Sequence, residues 1–199
     1  MKKRIRGVEI GDAAAVRDIY LPFVADSATS FEVVPPTVSE MEGRIEGLRD
    51  QYPWLVFETD ERVLGYAYAT SHRTRLAYQW CVEVSVYVHS SARHCGVGRA
   101  LYTALFEILR RQGYVNAYAG ITLPNAASVA LHESLGFTPI GVFQRVGFKL
   151  ASWHDVFWLQ LRLSEEPTPI PKPLPASGLF REAHLAALLQ ECAHTVKLT

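Results

Sequence analysis

The chain lacks most features that would commit it to an unusual environment. Its three cysteines, Cys81, Cys95 and Cys192, are odd in number and widely spaced, with no C-x-x-C pair. That argues against a disulfide framework and a structural zinc site and fits a reducing cytoplasm. No segment approaches the roughly 18–20 uninterrupted apolar residues of a membrane span. The basic start "MKKRIR" has no apolar run behind it of the kind an export signal carries. Excess charge is missing too: 20 Lys and Arg balance 20 Asp and Glu, so bulk charge gives no support to nucleic-acid or membrane-surface binding. No internal repeat is visible. What is present is a chain of 199 residues, 49% hydrophobic and 11% aromatic, enough for one medium domain with a sizeable core and an appendage. The expectation is a globular cytoplasmic protein.

Local patterns give an element order. "IRGVEIGD" reads as an opening strand, with Asp12 placed to cap a helix "AAAVRDIY" that Pro22 would end or kink. After the loop "DSATSFEVVPP", Thr37 and Glu40 stand at capping-box spacing and mark a second helix. "WLVFETDERVLGYAYAT" is a hairpin and "WCVEVSVYV" a further strand. A third helix begins near Gly98; Leu101, Ala104, Leu105, Ile108 and Leu109 form one apolar face, and Gly113 is its stop. "YVNAYAGI" is a strand, "NAASVALHESLGF" a short helix closed by Gly136, and two strands finish the domain near Leu163. The order βααβββαβαββ predicts a mixed α/β domain over residues 1–163. Residues 164–178, "SEEPTPIPKPLPASG", are proline-dense and read as an extended linker. Residues 179–199 form a helical tail with Leu185, Leu188, Leu189 and Cys192 on one face, suited to packing on the domain or on a partner subunit.

The stretch that points to chemistry is "RHCGVGR", Arg93 to Arg99, between a strand and a helix. Gly96 and Gly98 allow a close backbone approach, and the helix start offers free amides and a positive dipole end, an arrangement suited to phosphate. A Rossmann fingerprint would need a third glycine where Leu101 stands, and no G-K-[ST] of a P-loop exists. A bare G-x-G is equally compatible with a tight helix entry that holds nothing.

The wider context narrows the reading. R-x-x-G-x-G after "EVSVYV", followed by "NAASVALHESLGF", resembles the signature of the GNAT superfamily of N-acetyltransferases. The longer stretches "SFEVVPPT", "YPWLV", "RLAYQWCVEVSVYVH", "LHESLGF" and "GFKLASWHDVFWLQ" are similar to its phosphinothricin and methionine sulfoximine acetyltransferase branch. The resemblance implies a mixed, mostly antiparallel sheet with helices on both faces and a splayed central strand pair. It also implies acetyl-coenzyme A as co-substrate, held by Val86, Tyr87 and Val88 of the central strand, by Arg93, His94, Cys95, Gly96, Val97, Gly98 and Arg99 of the loop, and by Asn125 and Ser128.

An amine nucleophile must be neutral, so a base is needed within hydrogen-bond reach. Strand alternation puts Val82, Val84, Val86 and Val88 on one face and Glu83, Ser85 and Tyr87 on the other. By pattern, Glu83 is either a base or a rim carboxylate paired with an arginine; the resemblance assigns it the base role. His132 stands where many superfamily members carry a tyrosine acid, and either protonates the leaving thiolate, hydrogen-bonds near the carbonyl, or packs as a helix histidine. A backbone amide of Val86–Val88 suits the developing oxyanion. Cys95, at a helix start among arginines, has the features of an activated thiol, but the family pattern makes it a variable loop position.

For the substrate, Arg75 and Tyr78 match the branch's substrate segment and Phe31 matches a covering aromatic; Arg73 reads as solvated. A guanidinium suits a bidentate carboxylate. His154 and Asp155 alternate across a strand and form no dyad. The resemblance places that segment near a homodimer interface, where Trp153, Phe157 and Trp158 would fit. His89, His94 and Cys95 lack metal-ligand spacing. The expected activity is direct acetyl transfer to the α-amine of a small amino-acid analogue, with no metal. The alternatives are transfer to another amine, such as a peptide N-terminus, or a non-catalytic acetyl-coenzyme A sensor.

Overall fold

The computed structural model describes residues 2–60, 62–165 and 171–198. Strand β1 (Lys3–Gly7) leads through a 3-10 turn (Ile10–Asp12) into α1 (Ala13–Ala25). One expectation fails here, and one of the two alternatives at Pro22, that it would end the helix, fails as well. Asp12 does not cap α1: its carboxylate turns back to accept the Glu9 amide at 2.8 Å and both terminal nitrogens of Arg6 at 2.6 and 2.8 Å, closing the preceding turn instead. Pro22 does not end the helix, which runs on to Ala25. Pro22 lacks the amide hydrogen that would reach Asp18 one turn back, and the helix continues past it, the Asp26 amide donating to the Pro22 carbonyl at 3.0 Å.

The expected capping box forms at α2 (Val38–Leu48): the Glu40 amide donates to Thr37 Oγ1 and the Thr37 amide to Glu40 Oε2, at 3.2 and 2.7 Å. β2 (Trp54–Thr59) and β3 (Arg62–Ser71) make the hairpin, followed by β4 (Cys81–Val88). The remaining elements of the domain are α3 (Val97–Gln112), β5 (Asn116–Thr122), α4 (Ala126–Ser134), β6 (Thr138–Lys149) and β7 (Ser152–Arg162). The anticipated face of α3 is fully buried, and Gly113 closes it with φ +90°, the left-handed region that glycine enters without a Cβ clash.

The sheet order is β1-β2-β3-β4-β5-β7-β6, and every pairing is antiparallel except β4–β5. One face carries α1 and α2, with Val16, Val24 and Ile45 packed on Trp54, Val56 and Tyr66. The other carries α3 in the larger core. Period-2 strands with both faces covered account for the apolar β2 and β3.

Residues 166–170, the middle of the expected linker, lie outside the described residues. The described part of the linker is bonded along the domain: Trp80 Nε1 donates to the Pro171 carbonyl at 2.8 Å, Gln112 Nε2 to the Leu174 carbonyl at 2.6 Å, and the Ser177 amide to the Asp50 carbonyl at 3.2 Å. α5 (Ala176–Leu179) and α6 (Ala183–His194) then lie on β1 and α3. Leu185, Leu189, Cys192 and Ala193 are buried in the same core as α3, so the tail packs on its own domain. Each large apolar side chain so buried contributes about 1.5–3 kcal/mol.

Arg6 ties β1 to both the 3-10 turn and β2 through Asp12 and through Glu58 at 2.7 Å. Burial alone would raise the Asp12 carboxyl, but the Arg6 hydrogen bonds and the Glu9 amide outweigh it and hold the carboxyl below its ordinary value. The folded state therefore takes up the Asp12 proton less readily than the unfolded chain, so this stabilisation is present above about pH 4 and lost as pH falls through the lower folded value. Asp12→Asn should lower the urea-unfolding free energy by about 1–3 kcal/mol at pH 7, with the gap to wild type narrowing as pH falls below about 4.

Candidate functional site

The site begins where the sheet opens. β4 and β5 pair over three positions only, Cys81–Asn116, Val82–Ala117 and Glu83–Tyr118, and then part. On β4 the odd-numbered residues turn their main-chain groups to β3: the His89 amide donates to the Leu64 carbonyl at 2.9 Å and the Cys81 carbonyl accepts from His72 at 3.3 Å. By alternation the amides and carbonyls of Val84, Val86 and Val88 face the opening. Those of Tyr87 turn to β3, and its ring packs against Tyr20, Phe23 and Tyr66. The opening is a narrow cleft lined by Val84–Tyr87, Ala119–Thr122, Thr29, Tyr102, Asn125, Ser128 and His132. Gly120, on its β5 side, lets Trp158 and Val156 of β7 pack close: a Cβ there would come within 3.3 Å of both. A larger hollow of about 540 Å³ lies between β1 and the tail and shares no residue with the cleft.

Beyond β4 the chain turns through a short 3-10 segment (Ser90–Ala92) into the glycine loop. His94 and Gly96 both adopt positive φ, +62° and +90°, and a backbone that alternates in this way gathers successive N–H groups on one side. The first helical bond of α3 runs from the Ala100 amide to the Gly96 carbonyl at 3.0 Å. The amides of Val97, Gly98 and Arg99 have no acceptor among the described residues, as expected for a first turn. Gly98 lies against α4, where a Cβ would come within 3.3 Å of Leu131. The nearby cations are partly engaged: Arg99 donates to Ser134 Oγ at 2.6 Å, and the Arg93 guanidinium sits over the Phe23 ring at 5.4 Å. Cys95 Sγ donates to the Arg93 carbonyl at 3.4 Å.

Glu83 stands at the point where the strands part, its side chain 33% exposed. His72 Nδ1 lies 3.0 Å and Arg73 Nη1 3.2 Å from the same oxygen, Oε1. Oε2 has no partner among the described residues. The arginine-paired alternative is therefore partly realised, by Arg73, yet one lone-pair edge of the carboxylate stays open. His72 stacks on Tyr118 at 4.5 Å and meets Tyr78 and Trp158 edge-on at 5.9 and 6.4 Å. The sequence reading missed His72; its signal was a lone histidine at the end of β3, in "ATSHRTRL".

His132 is buried. Its Nδ1 is 2.7 Å from the Ser128 carbonyl, an acceptor only, so Nδ1 carries the proton and Nε2, 3.2 Å from Tyr102 Oη, accepts from that hydroxyl. Desolvation lowers the imidazole and the bond to the Ser128 carbonyl only partly offsets it. Burial raises the Tyr102 phenol. Both groups are neutral around pH 7. Tyr102, also absent from the sequence reading, could have been found as the polar tip on the buried side of α3.

The structure brings together Val86, Asn125, Ser128 and His132 at the cleft and Glu83 with Tyr78 beside it. Asn125 caps α4 through Oδ1, which accepts the Ser128 amide at 3.2 Å. Arg75 is exposed at the start of a 3-10 turn (Leu76–Tyr78) and makes no side-chain bond among the described residues. Phe31 lies across Gly147 of β6, where any Cβ would collide with its ring. His154 and Asp155 take separate partners, the Lys149 carbonyl at 3.0 Å and the Arg145 amide at 2.7 Å. Of the aromatics expected at an interface, Trp153 is 51% exposed while Phe157 and Trp158 face the domain. No group of three or more His, Cys, Asp or Glu is arranged for a metal among the described residues, and no helix there is long and apolar enough to cross a membrane.

A strand pair that parts beside a glycine loop at a helix start makes an opening suited to an extended, phosphate-bearing ligand. The sequence profile of the acetyltransferase (GNAT) domain matches residues 5–158, and the chain belongs to that family, the acetyl-coenzyme A-dependent N-acetyltransferases. It is 42% identical to the phosphinothricin N-acetyltransferase of Streptomyces viridochromogenes over 171 residues, 85% of this chain and 92% of that one. It is 35% identical to the L-methionine sulfoximine/L-methionine sulfone acetyltransferase of Salmonella typhimurium, covering 83% of this chain and 97% of that one. The fold superposes on a phosphinothricin acetyltransferase from Sinorhizobium meliloti, solved with acetyl-coenzyme A, with a TM-score of 0.80 at 33% identity over 87% of this chain and 94% of that one. The free amides of Val97–Arg99 and the unpaired edge of β4 are donors of the kind a diphosphate and an amide-bearing arm require.

In a proton-NMR titration the His132 ring signal should move with a midpoint below 6.5, the ordinary histidine value. Its nitrogen shifts at pH 7 should report a protonated Nδ1. Tyr102→Phe should leave that tautomer in place.

Proposed function

We propose that this protein acetylates the α-amino group of a small amino-acid analogue whose side chain ends in a tetrahedral phosphinate, sulfone or sulfoximine group, with Glu83 as general base. The observation that carries the reading is the position of Glu83, at the last paired residue before β4 and β5 separate, with Oε2 open. The names of the relatives support the substrate class. Acetyl-coenzyme A supplies the activated acetyl group; the rest is work for this chain's residues.

The loop amides of Val97–Arg99, with Arg93 and the left-handed turns at His94 and Gly96, take the diphosphate. Cys95 contributes main chain and no covalent chemistry. Val86 and Val88 turn main-chain groups to the pantetheine arm, with Asn125 and Ser128 across the cleft, and an amide of the same pair meets the oxygen on which charge develops. Tyr87 acts here through its packing. His72 and Arg73 fix Oε1 of Glu83, so that Oε2 takes the ammonium proton directly or through one water. Arg75 and Tyr78 receive the substrate's carboxylate, and Phe31 covers it. His132 is neutral, its Nδ1 proton is committed to Ser128, and Tyr102 retains its own proton. We assign the pair a packing role, an uncharged wall of the cleft whose two protons are already bonded; the packed helix histidine is one of the alternatives the sequence left open.

The protein would act in the cytoplasm, a reading supported by its three unpaired cysteines. It would act as a homodimer. β6 leaves Ile140, Val142, Phe143, Val146 and Phe148 exposed, and with Trp153 of β7 they form an apolar edge that calls for a partner strand. Phe148→Glu should shift sedimentation toward the monomer.

Thiol release from acetyl-coenzyme A across phosphinothricin, methionine sulfoximine, methionine sulfone, ordinary amino acids, a polyamine and a short peptide tests the substrate. Preference for the peptide would overturn the substrate class. Glu83→Gln should lower kcat by about 10²–10⁴-fold while coenzyme A affinity is kept. Unchanged turnover would remove Glu83 from the reaction, and no turnover with any amine in the wild type would favour a sensor.

A further inference from the structure

The tail reaches the glycine loop. After α6 the chain runs through Thr195 and Val196, and the Lys197 amide donates to the Cys95 carbonyl at 2.9 Å. The Val196 Cα and the Thr195 carbonyl lie 3.9 and 4.0 Å from where a Cβ on Gly96 would stand. Val196 is buried, and its carbonyl accepts from Lys3 Nζ at 2.6 Å, which anchors this stretch to β1. Leu198 packs on the same core.

We propose that the tail orients the loop that holds coenzyme A, through the peptide unit joining Cys95 to Gly96. That unit is trans, so its carbonyl and its N–H point in opposite directions. With the Cys95 carbonyl held toward the tail by Lys197, the Gly96 N–H is turned away from it. Gly96 at φ +90° has no side chain to define its rotation, and a glycine peptide is the part of such a loop most free to flip. The hydrogen bond from Lys197 removes that freedom before the anion arrives and lowers the ordering cost of binding. Lys197 is thus a positioning residue that acts through its main chain. Its side chain is exposed and makes no bond among the described residues. The inference rests on the reading of Cys95–Arg99 as a diphosphate site.

The test is calorimetric binding of coenzyme A to three variants of the full protein, with steady-state kinetics alongside. Lys197→Pro removes the amide hydrogen, Lys197→Ala keeps it and removes the charge, and a chain ending at Val196 removes the donor while keeping the buried valine. The expected result is coenzyme A binding about fivefold to tenfold weaker in the proline and shortened variants, the size of one lost hydrogen bond. KM for acetyl-coenzyme A should rise in step, with kcat and KM for the amine near wild type and Lys197→Ala unaffected. Equal affinity in all variants would overturn the inference and leave the diphosphate site standing. Equal weakening by Lys197→Ala would overturn it in favour of a charge effect. A wild-type protein that ignores coenzyme A would sink the site and the inference together.

Discussion

The separation of β4 from β5 after Glu83 is the constraint on which the rest of the structure depends. A strand in mid-sheet that loses one neighbour exposes a row of amides and carbonyls that must be met by something. β3 continues to pair with β4 through Val88, and β7 with β5 through Thr122, so each strand is held from its outer side while the inner sides diverge. The opening is therefore a feature the sheet can sustain. It passes between the two faces, and the main-chain groups that line it are fixed in direction before any ligand arrives.

Charge is distributed unequally around this opening. On the face shared with α1 and α2, Glu83 keeps company with His72, Arg73 and aromatic rings. On the face shared with α3, Tyr102 and His132 form a buried pair that burial keeps neutral. The first environment holds a carboxylate with one oxygen bonded and the other open. The second holds two neutral groups whose protons are already bonded, one to the Ser128 carbonyl and one within the pair. The two environments lie on opposite faces of the sheet.

The segment beyond the sheet belongs to the same mechanics. Gln112 of α3 and Trp80 before β4 hold the proline-rich chain, α6 buries its apolar face on β1 and α3, and Lys197 meets Cys95. An element that reads as an appendage is continuous with the core and in contact with the loop at the head of α3.

The sequence by itself determined the element order, the capping box at Thr37 and Glu40, the buried stripe of α3, the left-handed stop at Gly113, and the family to which the chain belongs. All but the last follow from periodicity and from residues whose backbone chemistry is local, so they are legible one segment at a time; the family was legible through the resemblance of its motifs. Tertiary structure alone decided that Asp12 would serve Arg6, that α1 would run through Pro22, and that His72 would share an oxygen of Glu83 with Arg73. It also decided that Tyr102 would meet His132 and that the tail would reach Cys95. Tyr102 with His132 and the tail with Cys95 join groups far apart in the chain; the others set one local preference against another. Neither spacing nor propensity carries that information, because the distance between such groups exists only once the sheet has formed.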